Sequence, residues 1–317
     1  MTSPPAAPGA GGRHQRPRPK SGRPEGKTVG RRELSRHARF AEISPEVGVL
    51  DEDAMSRALA TDPAAFELLA VMTTATDENL RAAAIRLSAS IVLERARTGR
   101  AWRRGISRLR PVRGATDGDL DIDASIEGVS AARTEARPVT PEDLTTVQWA
   151  KAHTAFAVVV DRSGSMSGAR LAAAATVAAA CALRAPQEHA VLSFAGSVEV
   201  IRPLVSDVAP AVVAERLLRV RGHGVTRLAA ALKAAGEQLA PARARRRVVI
   251  LLSDCRSTDD DDTLEMARAL TELIILAPAD DHEQAAHLAG LAGARWGQIE
   301  HPLDAAALLD RLLETPA

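Results

Sequence analysis

The sequence predicts an α/β protein: a doubly wound, mostly parallel sheet over residues 151–317, preceded by a small helical region and a disordered N-terminal tail. Three observations carry this reading. From residue 154 onward, short apolar runs alternate with runs of helical period, as expected of a parallel sheet covered on both faces. Residues 51–99 place apolar side chains at helical spacing between capping residues. Residues 1–32 are rich in Pro, Gly and Arg and bury too little surface to offset their ordering entropy.

Taken in order, the basic tail (1–32) leads into a helical region (33–113), whose clearest runs are "DEDAMSRALA", "DPAAFELLAVMTTAT" and "DENLRAAAIRLSASIVLERARTG". Asp62 and Asp77 stand as N-caps and Gly99 as a helix stop. A connector (114–150) follows, with a short helix in "TDGDLDIDASIEGVSAA". Strands are then legible at 154–160, 190–196, 198–204, 247–253 and 272–278, with a weaker one at 294–299. Helical runs lie between them at 167–184, 208–219, 227–240, 262–271 and 281–291, and a last one covers 303–314. The tight turn around Gly196 and Ser197 leaves room only for a hairpin between the second and third strands, so the third is expected as an antiparallel edge strand.

Composition narrows the function. With 46% apolar residues in 317, the chain can fill a sizeable core. Aromatics make up 2% and Tyr is absent, so stacking platforms for single-stranded nucleic acid are scarce and nucleic-acid binding is not expected. The net charge of +1 hides an asymmetry between a basic N-terminal part and acidic stretches such as "STDDDD" at 257–262. Cys181 and Cys255 are too few for a disulfide framework or a thiolate zinc site, which points to a reducing cytoplasm. The N-terminus lacks the apolar segment of a secretory signal, and the longest apolar stretch, 171–183, falls short of the roughly 20 residues a membrane span needs. The expected location is therefore cytoplasmic, with no membrane partner.

The chemistry concentrates at strand ends. "DRSGSMSG" (161–168) follows the first strand, "RGHGVTRL" (221–228) precedes a helix, and "SDCRSTDDDD" (253–262) follows the strand that ends near Ser253. In an open parallel sheet such loops meet outside the carboxyl ends of the strands, where strand order reverses. They offer Asp161, Ser163, Ser165, Thr226 and Asp254, all hard oxygen donors suited to Mg²⁺ or Mn²⁺ with water retained. Two carboxylates and several hydroxyls make an incomplete cage, which leaves a position for a carboxylate from a partner protein.

The Asp-x-Ser-x-Ser loop at 161–165, Thr226 in a glycine-containing loop and the strand-terminal Asp254 resemble, in order and spacing, the metal-ion-dependent adhesion site of von Willebrand factor A (vWA) domains, a Rossmann-like fold. The resemblance covers about 150–314. It implies that Ser163, Ser165 and Thr226 bind the metal directly while Asp161 and Asp254 act partly through water. It also implies a non-enzymatic, metal-dependent protein-binding module. Val225 and Cys255 depart from the pattern, since both positions commonly hold glycine. The helical N-terminal part and "GDLDIDASIEG" make the chain similar to the intracellular bacterial branch, the magnesium-chelatase D subunit and the CoxE-like proteins that accompany MoxR-type AAA+ ATPases. The implied partner is a AAA+ ATPase or the client it remodels.

Other readings of the same residues have distinct signatures. Ser and Asp at a strand-to-helix turn often cap the helix, but that does not explain three converging polar loops. A hydrolase using Ser163 or Ser165 would need His223 as its base and lacks the Gly-x-Ser-x-Gly elbow. The basic run "RAWRRGISRLRPVR" suggests an adaptor for nucleic acid or an acidic partner. "HEQAAH" (282–287) spaces its histidines five apart, off a common helix face, and reads as a solvated helix.

Overall fold

The computed structural model describes residues 28–62, 64–98, 108–114, 119–150, 154–163, 168–220, 225–257 and 262–314. Helices open the chain: α1 (Arg31–Leu34), α2 (Phe40–Ile43), α3 (Glu52–Thr61), α4 (Ala64–Met72) and α5 (Glu78–Thr98). Carboxylates start the longer ones, as the sequence predicts at Asp62 and Asp77. The Asp51 side chain accepts from Ala54 N–H at 2.8 Å, Asp62 from Ala64 N–H at 2.9 Å, and Asp77 from Asn79 and Leu80 N–H at 2.9 and 3.0 Å. The predicted stop at Gly99 lies outside the described residues.

Where the sequence suggests the last residues of a helical region and a connector, a lobe with its own small sheet appears, and 108–113 is strand and not helix. It comprises β1 (Arg108–Arg113), β2 (Asp119–Leu120), α6 (Ile122–Thr134) and β3 (Thr145–Ala150), with antiparallel strands in the order β1-β3-β2. The helix is the one expected in "DIDASIEGVSAA", and Asp121 caps it through Ala124 N–H at 3.0 Å. A Cβ on Gly128 would come within 2.2 Å of the Asp143 carbonyl, so glycine alone permits this approach of α6 to the following turn. Asp143 in turn takes both Arg137 terminal nitrogens at 2.6 and 2.8 Å and Thr140 N–H at 2.9 Å. These bonds, Arg137 first, hold its carboxyl far below the usual carboxylate range.

The main sheet contains β4 (Thr154–Asp161), β5 (His189–Phe194), β6 (Val198–Arg202), β7 (Arg246–Leu252), β8 (Leu273–Pro278) and β9 (Arg295–Ile299) in the order β6-β5-β4-β7-β8-β9. The covering helices are α7 (Ala169–Arg184), α8 (Pro210–Arg219), α9 (Leu228–Leu239), α10 (Thr263–Ala269), α11 (Glu283–Ala292) and α12 (Ala305–Glu314). All neighbours are parallel except β5 and β6, and β6 forms the antiparallel edge expected from the tight turn around Gly196 and Ser197. Burial on both faces explains why β4, β5 and β8 read as continuous apolar runs instead of alternating ones.

The alanine-rich α7 is buried from Leu171 through Ala182. Its small side chains let it lie between the sheet and the N-terminal helices, and it contacts β4, α4, α5 and α8. One continuous core therefore joins Leu34, Phe66 and Leu80 of the N-terminal helices to Val158, Ile250 and Ile274 of the sheet. The opposite face of the sheet is covered by α9, α10 and α11. Strand order reverses between β4, whose next strand is β5 on one side, and β7, whose next strand is β8 on the other. The crevice at their carboxyl ends is the switch point of the sheet.

The fold also buries a titratable group away from that crevice. His189 is 2% exposed, and its Nδ1 lies 2.7 Å from the Ala185 carbonyl, so Nδ1–H donates and Nε2 has no partner. Burial, reinforced by the Arg202 guanidinium, pushes its pKa down to about 4. Between about pH 6.5 and that value the unfolded chain binds a proton that the folded chain refuses. Stability due to this group is complete above pH 6.5 and declines by about 1.4 kcal/mol per pH unit as pH falls toward 4. Urea unfolding across this window should show a flatter pH dependence for His189→Gln than for the wild type; parallel curves would contradict the assignment.

Candidate metal and partner-binding site

The strand pairing builds the site. Val160 of β4 pairs with Leu252 of β7, so the next residues, Asp161 and Ser253, emerge side by side. Their side chains join, with Ser253 Oγ donating to Asp161 Oδ2 at 2.7 Å. Asp161 Oδ1 accepts the Ser163 N–H at 2.7 Å, a turn in which the carboxylate organises its own loop. Asp254 repeats the device, its Oδ1 accepting Arg256 N–H at 3.0 Å. Arg162, one residue past Asp161, reaches the other way, to Glu199 and Ser197 of the edge hairpin.

The loop carrying Thr226 is tied through its backbone to the end of β5 and to the loop that follows β7. Arg227 N–H donates to the Ala195 carbonyl at 3.0 Å beyond β5, and Ser257 Oγ donates to the Thr226 carbonyl at 3.4 Å. Arg256 anchors the 254–257 segment outward through two bonds to Asp281 at 2.7 and 3.1 Å. Asp161, Ser163, Thr226 and Asp254 thus share one end of the sheet, at 0%, 8%, 4% and 3% exposure. Ser165 lies outside the described residues, as do Ser167 and His223. Helix capping does not account for Asp161: α7 begins after its N-cap residue, Gly168, and no side chain among the described residues caps it.

Asp161 is a buried carboxylate whose hydrogen-bond donors are neutral. Burial raises its pKa, and the like charge of Asp254 adds to the rise. A carboxylate in this setting, next to hydroxyls and a second carboxylate, has the donor chemistry that a hard divalent cation complements. Among the described residues no group of three or more His, Cys, Asp or Glu gathers as a metal centre, so any ion here would lean on Ser163 and Thr226. Both Asp161 oxygens already accept protein donors, which suits a role through water. Mg²⁺ or Mn²⁺ fits this donor set.

Residues 156–256, from β4 into the third polar loop, match the family model described as von Willebrand factor type A domain. The chain carries a von Willebrand factor type A domain. The matched span includes all five residues singled out from the sequence. An aerotolerance-related membrane protein from Bacteroides fragilis resembles the chain at 12% identity and TM-score 0.40, over 51% of this chain and 98% of its own. The SpRpn10 VWA domain resembles it at 12% identity and TM-score 0.42, over 52% and 100%. The PilB minor pilin of Streptococcus sanguinis does so at 9% identity and TM-score 0.43, over 55% and 68%. No curated protein matches the chain.

Two departures from the vWA pattern now have a physical reading. Among the described non-glycine residues only Ala136 and Cys255 take positive φ, so Val225 fits ordinary backbone. Cys255, at φ +60°, occupies the left-handed region that glycine enters freely and other residues enter at roughly 1–2 kcal/mol. Its side chain is 8% exposed and packs in the core under α9, and burial drives the thiol pKa far up. The thiol thus packs as a small apolar group. The residue that sequence reasoning passed over is Ser253, whose hydroxyl joins the first and third loops. Only the β4–β7 register reveals it. No helix among the described residues is long and apolar enough to cross a membrane.

Proposed function

We propose that this vWA domain is a non-enzymatic, metal-dependent protein-binding module, and that its partner is a cytoplasmic AAA+ ATPase or the client that ATPase remodels. The observation that carries the reading is the pair of buried carboxylates, Asp161 and Asp254, set at the switch point beside Ser163 and Thr226. Mg²⁺ or Mn²⁺ held there would supply an open coordination position that accepts a carboxylate oxygen. The protein's own part is to hold the loops: Asp161 and Asp254 each brace the segment that follows, and Ser257 keeps the Thr226 loop in place. A partner Asp or Glu complements such an ion because two carboxylates and neutral hydroxyls leave it attractive to a further anion. The AAA+ assignment is supported by the resemblance to chelatase D subunits and MoxR-associated proteins in the three-loop motif and the helical N-terminal part.

Capture from an extract of the native cell tests this reading. Proteins retained by the full chain in Mg²⁺ should be lost in chelator, and Asp254→Ala should retain none of them. Equal capture in chelator would remove the metal bridge and shift attention to helices α3, α4 and α5.

A further inference from the structure

We infer that Ser253 is a positioning residue of the metal site, its hydroxyl fixing the plane of the Asp161 carboxylate and locking the first loop to the third. The inference rests on the metal-binding reading above but concerns a residue outside the Asp-x-Ser-x-Ser, Thr and Asp set. Ser253 is 1% exposed, immediately beyond the end of β7. Its Oγ accepts the Cys255 N–H at 2.9 Å and donates to Asp161 Oδ2 at 2.7 Å. A hydroxyl has one proton, and with the Cys255 N–H on a lone pair that proton is committed to Asp161. Asp161 Oδ1 is taken by Ser163 N–H at 2.7 Å, so the carboxylate is gripped on both oxygens, one from its own loop and one from the neighbouring strand.

Consequences follow for the ion. With both oxygens engaged, Asp161 presents its charge in one orientation toward Ser163 and Asp254, and the 254–257 segment cannot shift without dragging that carboxylate. Removing the hydroxyl frees the carboxylate to turn and leaves the Cys255 N–H without its acceptor. Outer partners of this kind typically contribute about 10–100-fold in metal affinity. Threonine at this position keeps the hydroxyl, and Ser253 borders a cleft with Ala169, Ala173, Leu252 and Leu276. Cysteine keeps the shape with a far weaker donor.

Mn²⁺ titration of the full chain, with free ion read by its electron paramagnetic resonance signal, tests the assignment. Ser253→Ala and Ser253→Cys should bind Mn²⁺ about 10–100-fold more weakly than the wild type, and Ser253→Thr within about threefold. Thermal unfolding in chelator identifies folded variants; should the alanine variant not fold, the Cys and Thr variants carry the comparison. Wild-type affinity in Ser253→Ala or Ser253→Cys, or a threonine variant as weak as these, would overturn the inference and leave the site standing. A wild type that takes up no Mn²⁺ would remove the site and the inference together.

Discussion

Arg202→Met should lower the stability of the folded chain by about 3 kcal/mol or more, measured by urea unfolding at neutral pH. Arg202 is 1% exposed at the end of β6. Its guanidinium donates to the carbonyls of His189, Pro203, Leu204, Pro186 and Ser206, gathering the start of β5 and the turn after β6 around one cation. Burial lowers its pKa and nearby Asp207 opposes the effect, yet a guanidinium stays charged at any pH of interest. Methionine fills much of the volume and offers no donor, so several carbonyls lose their partner inside the protein at about 1–3 kcal/mol each. The relief of desolvating one fewer charge offsets part of that sum. A variant within about 1 kcal/mol of wild type would show that water reaches these carbonyls and that the guanidinium is not their structural partner.

Asp161→Asn should reverse its effect on stability according to the metal. In chelator the variant should melt about 2 °C or more above the wild type, because a buried carboxylate facing Asp254 becomes neutral while the amide oxygen still accepts one of the two donors. In Mg²⁺ the order should invert. An ion at 100 times its dissociation constant stabilises the folded wild type by about 2.7 kcal/mol and gives the variant nothing. Differential scanning calorimetry in the two buffers reads both signs. Curves that keep the same order with and without Mg²⁺ would contradict the role assigned to Asp161.

Much of the sheet domain is legible in the sequence because parallel strands buried on both faces, such as "TAFAVVV" and "LIILAP", appear as uninterrupted apolar runs between helices. The 108–150 lobe is not legible in the same way. β1 is "RLRPVR", basic and broken by a proline, and β2 is two residues long; their pairing depends on β3, more than 25 residues distant. In the site, carboxylates and hydroxyls at strand ends mark Asp161, Ser163, Thr226 and Asp254. Ser253 carries no such signal, since a serine ending a strand looks like any turn residue until the β4–β7 register sets it against Asp161. Cys255 is visible as a departure from a glycine, and the positive φ there supplies the reason glycine is common.

In the function proposed above, Asp161, Ser163, Thr226 and Asp254 together hold one divalent cation. Titration calorimetry of the full chain with Mg²⁺, beside Asp254→Ala, tests it most directly. The wild type should bind one ion per chain saturably, and the variant none at the same concentrations. Absence of saturable binding in the wild type, or equal binding in Asp254→Ala, would contradict it.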